Sequence, residues 1–165
     1  MYSLITKTRT KDFIGKYGKG IAQAIQGTNL FFATVVAQKA LESNYGESGL
    51  TKEANNFGGI KYNPNLEGVV GYVVKDTTEY VKGKKVAVQQ KFSKFRDVQS
   101  GVAATIEVLK KDRYANARNK ATTPQEQVLM IAQAGYTTTP PAKYLSLLKG
   151  IIEATQDLTG IGRVS

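Results

Sequence analysis

The stretch ALESNYGESGL, residues 40–50, marks the place where an apolar segment of the chain changes into a polar one. Residues 29–44 are apolar on nearly every face of a helix, which is typical of a buried central helix. Residues 45–61 are rich in Gly, Asn and Ser, which favours a turn, a short helix near residues 52–55 and a loop. Glu42 lies at this junction, at the end of the predicted helix and beside a segment that can open into a cleft.

The remaining chain contains helical patterns on both sides of one pair of strands. Apolar spacing predicts the other helices over residues 10–26 (with Thr10 as N-cap and Gly27 as stop), 97–111, 123–135 and 140–158. Val, Thr and Tyr predict strands over residues 69–81 and 85–92, joined by the hairpin turn KGKK. This order predicts a single α+β domain over residues 1–165, with a mainly helical lobe and a small β-hairpin lobe.

The composition excludes several kinds of chemistry. The 165 residues include no Cys and no His, which removes thiolate nucleophiles, Ser-His triads and most zinc sites. If the protein is an enzyme, carboxylates and Tyr must move the protons. We therefore expect no metal ion and no cofactor.

The net charge of +10 predicts a polyanionic partner: nucleic acid, a membrane surface or bacterial cell wall. Solubility alone is the simpler explanation of the same charge. Most of the Lys residues are scattered, and only KKDRYANARNK (residues 110–120) is dense, so a nucleic-acid partner is not expected. The first residues, MYSLITKTRTKDF, do not follow the order of charges and apolar residues of a signal peptide, and no transmembrane span is predicted.

Paired carboxylates are the natural catalysts in a chain of this composition. In glycoside hydrolysis one carboxylic acid protonates the leaving oxygen, and a second carboxylate stabilises the cation, activates water or attacks. Apolar surroundings and the negative end of a helix both favour the protonated acid, and the position of Glu42 predicts both. The alternative is an ordinary surface Glu at a helix C-terminus, paired with a Lys.

The stretch VVAQKALESNYGESGLTKEANNFGGIK, residues 35–61, resembles the signature of glycoside hydrolase family 73, the bacterial cell-wall β-N-acetylglucosaminidases. The shared pattern is AQ-x-x-LES, then G-x-S-x-L, then ANN-x-x-G-I-K. The resemblance continues in TTEYVKGKKVAVQQKFSKF (residues 77–95) and in AGYTTTPPAKYLSLLKGII (residues 134–152), in the order found in that family.

The resemblance implies a lysozyme-like fold with a cleft between its lobes, and peptidoglycan glycan as the substrate. It implies that Glu42 is the catalytic acid and that Glu79, in TTEY, is the second catalytic carboxylate, with Glu67 as the fallback. The stereochemical course stays open, because the acetamido group of the substrate can replace a protein nucleophile.

Four further residues are expected to bind substrate on the same basis. Tyr136 matches the tyrosine of the AGY segment, and Gln38, Asn56 and Phe57 are expected to line the cleft. Three of the four residues also have a structural alternative. Tyr136 can be a half-buried packing residue, Asn56 can form an Asx turn, and Phe57 can be part of the core.

Taken together, these features predict an endo-β-N-acetylglucosaminidase that cuts peptidoglycan after N-acetylglucosamine. The alternatives are an N-acetylmuramidase of the same fold and a lysozyme-like module that binds glycan without cutting it. We expect a monomer without membrane insertion, made in the cytoplasm without a signal peptide. It would reach the wall or periplasm as a phage or prophage lysin, or as an effector that a secretion machine delivers.

Overall fold

A computed structural model describes residues 1–161, which contain seven α-helices, a short 3-10 helix and one antiparallel β-hairpin. No helix among these residues is both long and apolar enough to cross a bilayer. The elements in chain order are α1 (Leu4–Ala24), α2 (Phe32–Glu42), α3 (Gly49–Ala54), β1 (Val69–Val81), β2 (Lys84–Phe95), α4 (Val98–Leu109), the 3-10 turn (Asp112–Tyr114), α5 (Ala115–Lys120), α6 (Pro124–Gln133) and α7 (Pro141–Thr159).

The predicted central helix is present as α2, which is buried along most of its length. It packs against α1, α6 and α7, and the side chains from Ala33 to Ala40 are all buried. Three alanines and two valines in this run keep the helix narrow, so that neighbouring helices approach it from several sides. The prediction of a buried central helix is confirmed.

The first helix begins earlier than the sequence analysis predicted. Ser3 is its N-cap and accepts a hydrogen bond from the Thr6 amide, whereas Thr10 is buried inside the helix and is not a cap. Leu4 and Ile5 in the first turn are exposed, so the core-facing periodicity starts only later in the helix. Because a helix start is read from that periodicity, the first two turns were missed.

The hairpin follows the predicted strands closely. β1 has the predicted bounds, and β2 extends to Phe95, which is buried at the base of the hairpin. Lys82 and Gly83 form the two-residue turn with φ values of +50° and +78°, the signature of a type I′ turn. The positive φ at both positions explains why Gly stands second.

The dense basic segment near residue 115 has a structural role that the sequence analysis did not predict. It forms the 3-10 turn and α5, and Nη1 of Arg118 donates hydrogen bonds to the carbonyl oxygens of Leu109 and Lys111. These carbonyls lie at and beyond the end of α4, where a helix has no acceptor partners of its own. Arg118 therefore caps α4.

The loop after α3 is fixed to both lobes. The buried Asn56 amide donates to the carbonyl oxygens of Ile60 and Ser93, both at 2.9 Å, and its Oδ1 accepts from the Ile60 amide at 3.0 Å. On the other side, α4 contacts the loop so closely that a Cβ atom at Gly101 would lie 1.8 Å from the Asn55 carbonyl oxygen. Asn56 and Gly101 thus set the position of this loop.

We expect Gly101→Ala to lower the free energy of unfolding by about 2–4 kcal/mol, because the new methyl group displaces α4 from the loop. Gly15→Ala is the control: Gly15 is exposed within α1, and a Cβ there meets nothing within 4 Å. It should raise the free energy of unfolding by about 0.5–1 kcal/mol. Urea denaturation measures both, and equal effects would contradict the packing described.

We expect Asn56→Ala to cost about 2–4 kcal/mol, because it leaves buried backbone groups without partners. Asn119→Ala removes a single exposed side-chain hydrogen bond, to Asn29, and should change stability by less than about 0.5 kcal/mol. Urea denaturation again gives the values. A cost at Asn56 no larger than that at Asn119 would show that the loop does not depend on this side chain.

Candidate active site

An open cavity of about 520 Å³ lies between the end of α2, the loop after α3 and the exposed side of α4. Its volume falls within the range of small-ligand sites. Its lining is mostly apolar and carries two polar groups suited to proton transfer, the carboxyl of Glu42 and the phenol of Tyr136. The lining residues are Glu42, Phe57, Gly58, Gly59, Ile60, Ala104, Thr105, Val108 and Tyr136.

Glu42 is the last residue of α2, and its side chain is 24% exposed. Its Oε1 accepts a hydrogen bond of 2.6 Å from the Tyr136 hydroxyl, and its Oε2 lies 3.0 Å from Nζ of Lys39. Burial raises the pKa of Tyr136, and the nearby Glu42 carboxylate raises it further. The phenol therefore keeps its proton and acts as a donor to Glu42.

The immediate contacts of Glu42 correct the sequence analysis. Apolar surroundings were predicted for its carboxyl, but the two groups that hold it are an ammonium and a phenol. A Lys partner was expected only if Glu42 were an ordinary surface residue. In the structure Glu42 has a Lys partner and also lines the cavity. Lys39 reaches Glu42 because residues three apart lie on the same side of a helix.

Tyr136 is held in turn by two other tyrosines. Its ring centroid lies 6.2 Å from that of Tyr114 and 6.3 Å from that of Tyr144. Burial, followed by the charge of Glu42, raises the pKa of Tyr144, whose hydroxyl accepts a hydrogen bond from Nε2 of Gln38. Rings packed in this way restrict the rotation of Tyr136 and keep its hydroxyl directed at Glu42.

Two of the predicted cleft-lining residues do not line the cavity. Gln38 and Asn56 are almost fully buried, so the prediction that their side chains face the cleft is wrong. Gln38 donates a hydrogen bond to Tyr144 from inside the helical lobe. Asn56 binds the backbone of its own loop, a structural role similar to the Asx turn that was the alternative for this residue. Phe57 lines the cavity but is 1% exposed and packs edge-on against Tyr17, so it serves as a wall and as core.

The two candidate second carboxylates lie outside this cavity and in different places. Glu79, on β1, is 44% exposed, and its Oε1 is 3.6 Å from Nζ of Lys61, the residue after the cavity-lining Ile60. Glu67 precedes β1, is 92% exposed and lies 3.9 Å from Arg96. It lines a separate cavity beside the start of α4.

The structure therefore brings Glu42, Phe57 and Tyr136 together and leaves Glu79 on the hairpin near the same loop. The sequence analysis missed Lys39, although its spacing from Glu42 was a usable signal. It also missed the contribution of α4 to the cavity, for which the sequence held no signal. Within residues 1–161, no group of three acidic side chains is placed to hold a metal ion.

The family model for glucosaminidases, described as mannosyl-glycoprotein endo-β-N-acetylglucosaminidase, matches residues 18–157. The peptidoglycan hydrolase FlgJ of Salmonella typhimurium is 27% identical over 136 residues, which cover 79% of this chain and 42% of FlgJ. An autolysin of Enterococcus faecalis is 26% identical over 162 residues, which cover 93% of this chain and 21% of the autolysin. The chain thus spans less than half the length of these relatives.

Solved structures agree with the fold. The catalytic domain of the autolysin Auto from Listeria monocytogenes superimposes with a TM-score of 0.76 and 26% identity, over 93% of this chain and 87% of that one. A C-terminally truncated glycoside hydrolase domain of Salmonella typhimurium FlgJ superimposes with a TM-score of 0.70 and 24% identity, over 91% of this chain and 99% of that one. The predicted lysozyme-like α+β fold and the resemblance to family 73 are confirmed. With its family model matched over most of its length, this chain belongs to the glucosaminidase family of glycoside hydrolases.

Proposed function

We propose that this domain hydrolyses the glycan backbone of peptidoglycan, with Glu42 as the proton donor. The observation that carries the proposal is the Glu42 carboxyl, which faces an open cavity and accepts a hydrogen bond from Tyr136. Membership of the glucosaminidase family supports the reaction class. The relatives named as a peptidoglycan hydrolase and an autolysin support the substrate. The bond that we propose is N-acetylglucosaminyl-β-1,4-N-acetylmuramic acid, cut within the strand.

The reaction begins with a proton transfer from the Glu42 carboxyl to the glycosidic oxygen. The bond between C1 and that oxygen breaks, the leaving sugar departs with the proton, and positive charge develops at C1 and the ring oxygen. Glu42 is then a carboxylate, and the Tyr136 hydrogen bond becomes a bond to an ionised acceptor, which is about twice as strong. Tyr136 therefore stabilises the group that forms as the glycosidic bond breaks.

A water oxygen then bonds to C1, either directly or by displacing a carboxylate or the acetamido group that bonded there first, which completes the hydrolysis. The proton that this water loses goes to the second carboxylate in the direct course, and back to Glu42 in the two-step course.

Glu79 is our candidate for the second carboxylate. Its partner Lys61 extends the segment that lines the cavity, which supports a place for Glu79 at the edge of the bound glycan. Glu67 is the fallback, and its separation into another cavity weighs against it. The acetamido group of the substrate is the alternative nucleophile, so the stereochemical outcome is left open.

Two alternatives share the same cavity. An N-acetylmuramidase would use the same proton donor on the other β-1,4 bond, and a binding module would hold the glycan without cutting it. The net charge of +10 suits the anionic wall in all three cases. Release by a phage or by a secretion machine, and action as a monomer, stay predictions of the sequence analysis.

Product analysis separates these functions. Purified peptidoglycan is digested, the new sugar ends are reduced with borohydride, and the products are identified by mass spectrometry. We expect reduced N-acetylglucosamine ends. Reduced N-acetylmuramic acid ends would make the protein a muramidase, and no new ends across several wall types would favour the binding module.

Glu42→Gln should lower kcat by about 100- to 10,000-fold, because the amide cannot donate the proton. Glu153→Gln is the matched control. The Glu153 side chain is 26% exposed, much like that of Glu42, but it lies on α7, 3.5 Å from the amino group of Met1. The control should keep its activity. The same digestion assay measures both, with circular dichroism to verify folding. Near-normal activity of the Glu42 variant would refute its assignment.

Glu79→Gln should lower kcat by at least about tenfold more than Glu67→Gln, because only Glu79 adjoins the segment that lines the cavity. Both side chains are at the surface, so neither change should alter stability by more than about 0.5 kcal/mol. Initial rates at saturating peptidoglycan provide the comparison. The reverse order would transfer the role to Glu67, and two small effects would favour the acetamido group of the substrate.

A further inference from the structure

We propose that Lys39 is a positioning residue for Glu42, which orients the Glu42 carboxyl toward the cavity. The proposal rests on the proposed function of Glu42 as proton donor. Its basis is a contact that the sequence analysis did not anticipate: the Lys39 side chain is fully buried, and its Nζ lies 3.0 Å from Oε2 of Glu42.

A buried ammonium needs a partner. Removing a charged amine from water is strongly unfavourable unless an opposite charge and hydrogen bonds replace the water. Among the ion pairs of residues 1–161, Glu42 is the acidic partner of Lys39. Because Lys39 has no exposed surface, its ammonium cannot turn to solvent instead, and it holds Glu42 in place.

The two hydrogen bonds of Glu42 come from different elements. Lys39 donates to Oε2 from within α2, and Tyr136 donates to Oε1 from the segment after α6. The terminal torsion of a glutamate is only weakly restrained by its own geometry. One donor on each oxygen fixes that torsion, so the plane of the carboxyl is set before substrate enters.

A second Lys–Glu pair in the chain shows what this geometry would mean at the surface. Glu107 and Lys110 on α4 and just after it also lie three residues apart, with 2.8 Å between their charged atoms. Both side chains are exposed, so water competes for each charge and the pair restrains little. Burial of Lys39 is what distinguishes the pair in the cavity.

Lys39 is the charged group closest to the Glu42 carboxyl in this part of the site. The other polar groups that face Glu42 are the phenols of Tyr136 and of Tyr144 on α7, which keep their protons. The cavity linings from α4 and from the loop at residues 57–60 carry no charge. The charged restraint on Glu42 therefore comes from Lys39.

The test compares Lys39→Met with Lys110→Met. Methionine fills the space of the buried lysine without its charge, a replacement that cores often tolerate. We expect Lys39→Met to lower kcat at the pH optimum by about tenfold with KM within about twofold, because the carboxyl loses one of its two restraints. We also expect its urea denaturation midpoint to stay close to that of the wild type, because methionine fills the same space. Lys110→Met should match the wild type in both respects.

Three results would overturn the proposal: a kcat of Lys39→Met equal to that of the wild type, a KM that rises as much as kcat falls, or the same loss of kcat in Lys110→Met. The second would mean that Lys39 supports the fold or substrate binding and does not orient the carboxyl. If Lys39→Met does not fold, Lys39→Gln, which leaves a neutral amide in its place, is judged by the same comparison of kcat and KM. A wild-type protein that releases no sugar ends would instead refute the proposed function, and with it this inference.

Discussion

The burial of α2 among α1, α6 and α7 is the constraint on which the site depends. The helix carries its last side chain, Glu42, to the edge of the core, where the chain leaves for the loop that forms one wall of the cavity. Because the helix is enclosed, the core fixes the backbone of Glu42. The place of the proposed proton donor is thus a result of packing, and its two polar contacts orient the carboxyl there.

The sequence analysis was most successful where a local signal and the tertiary structure agreed. The nearly all-round apolar pattern of α2, the helices that start near residues 97 and 123, and the strands rich in Val, Thr and Tyr each depend on nearby residues, and each was predicted. The start of α1 and the whole of α5 were not. Their residues contribute little apolar periodicity, and packing against other elements, rather than local pattern, stabilises them.

The residues of the candidate site were likewise predicted only in part. The resemblance located Glu42 and Tyr136, and the structure places them in hydrogen-bond contact. It could not tell which polar residues of the signature face the cavity and which support it from behind. Gln38 and Asn56 belong to the second group, because a motif records the residues that a site requires without recording which way each points. The spacing of Lys39 from Glu42 indicated that the two can meet, but only the structure shows that Lys39 is buried and 3.0 Å from the Glu42 carboxyl.

A two-stranded sheet has no interior strand, so β1 and β2 both present unpaired backbone groups to the surroundings, apart from the bridge between Lys61 and Phe92 near the base. Such edges invite a strand from another molecule to add itself. Five lysines, Lys82, Lys84, Lys85, Lys91 and Lys94, lie in the turn and along β2. They make the approach of a second hairpin electrostatically unfavourable, which is a common means by which exposed sheet edges avoid pairing with one another.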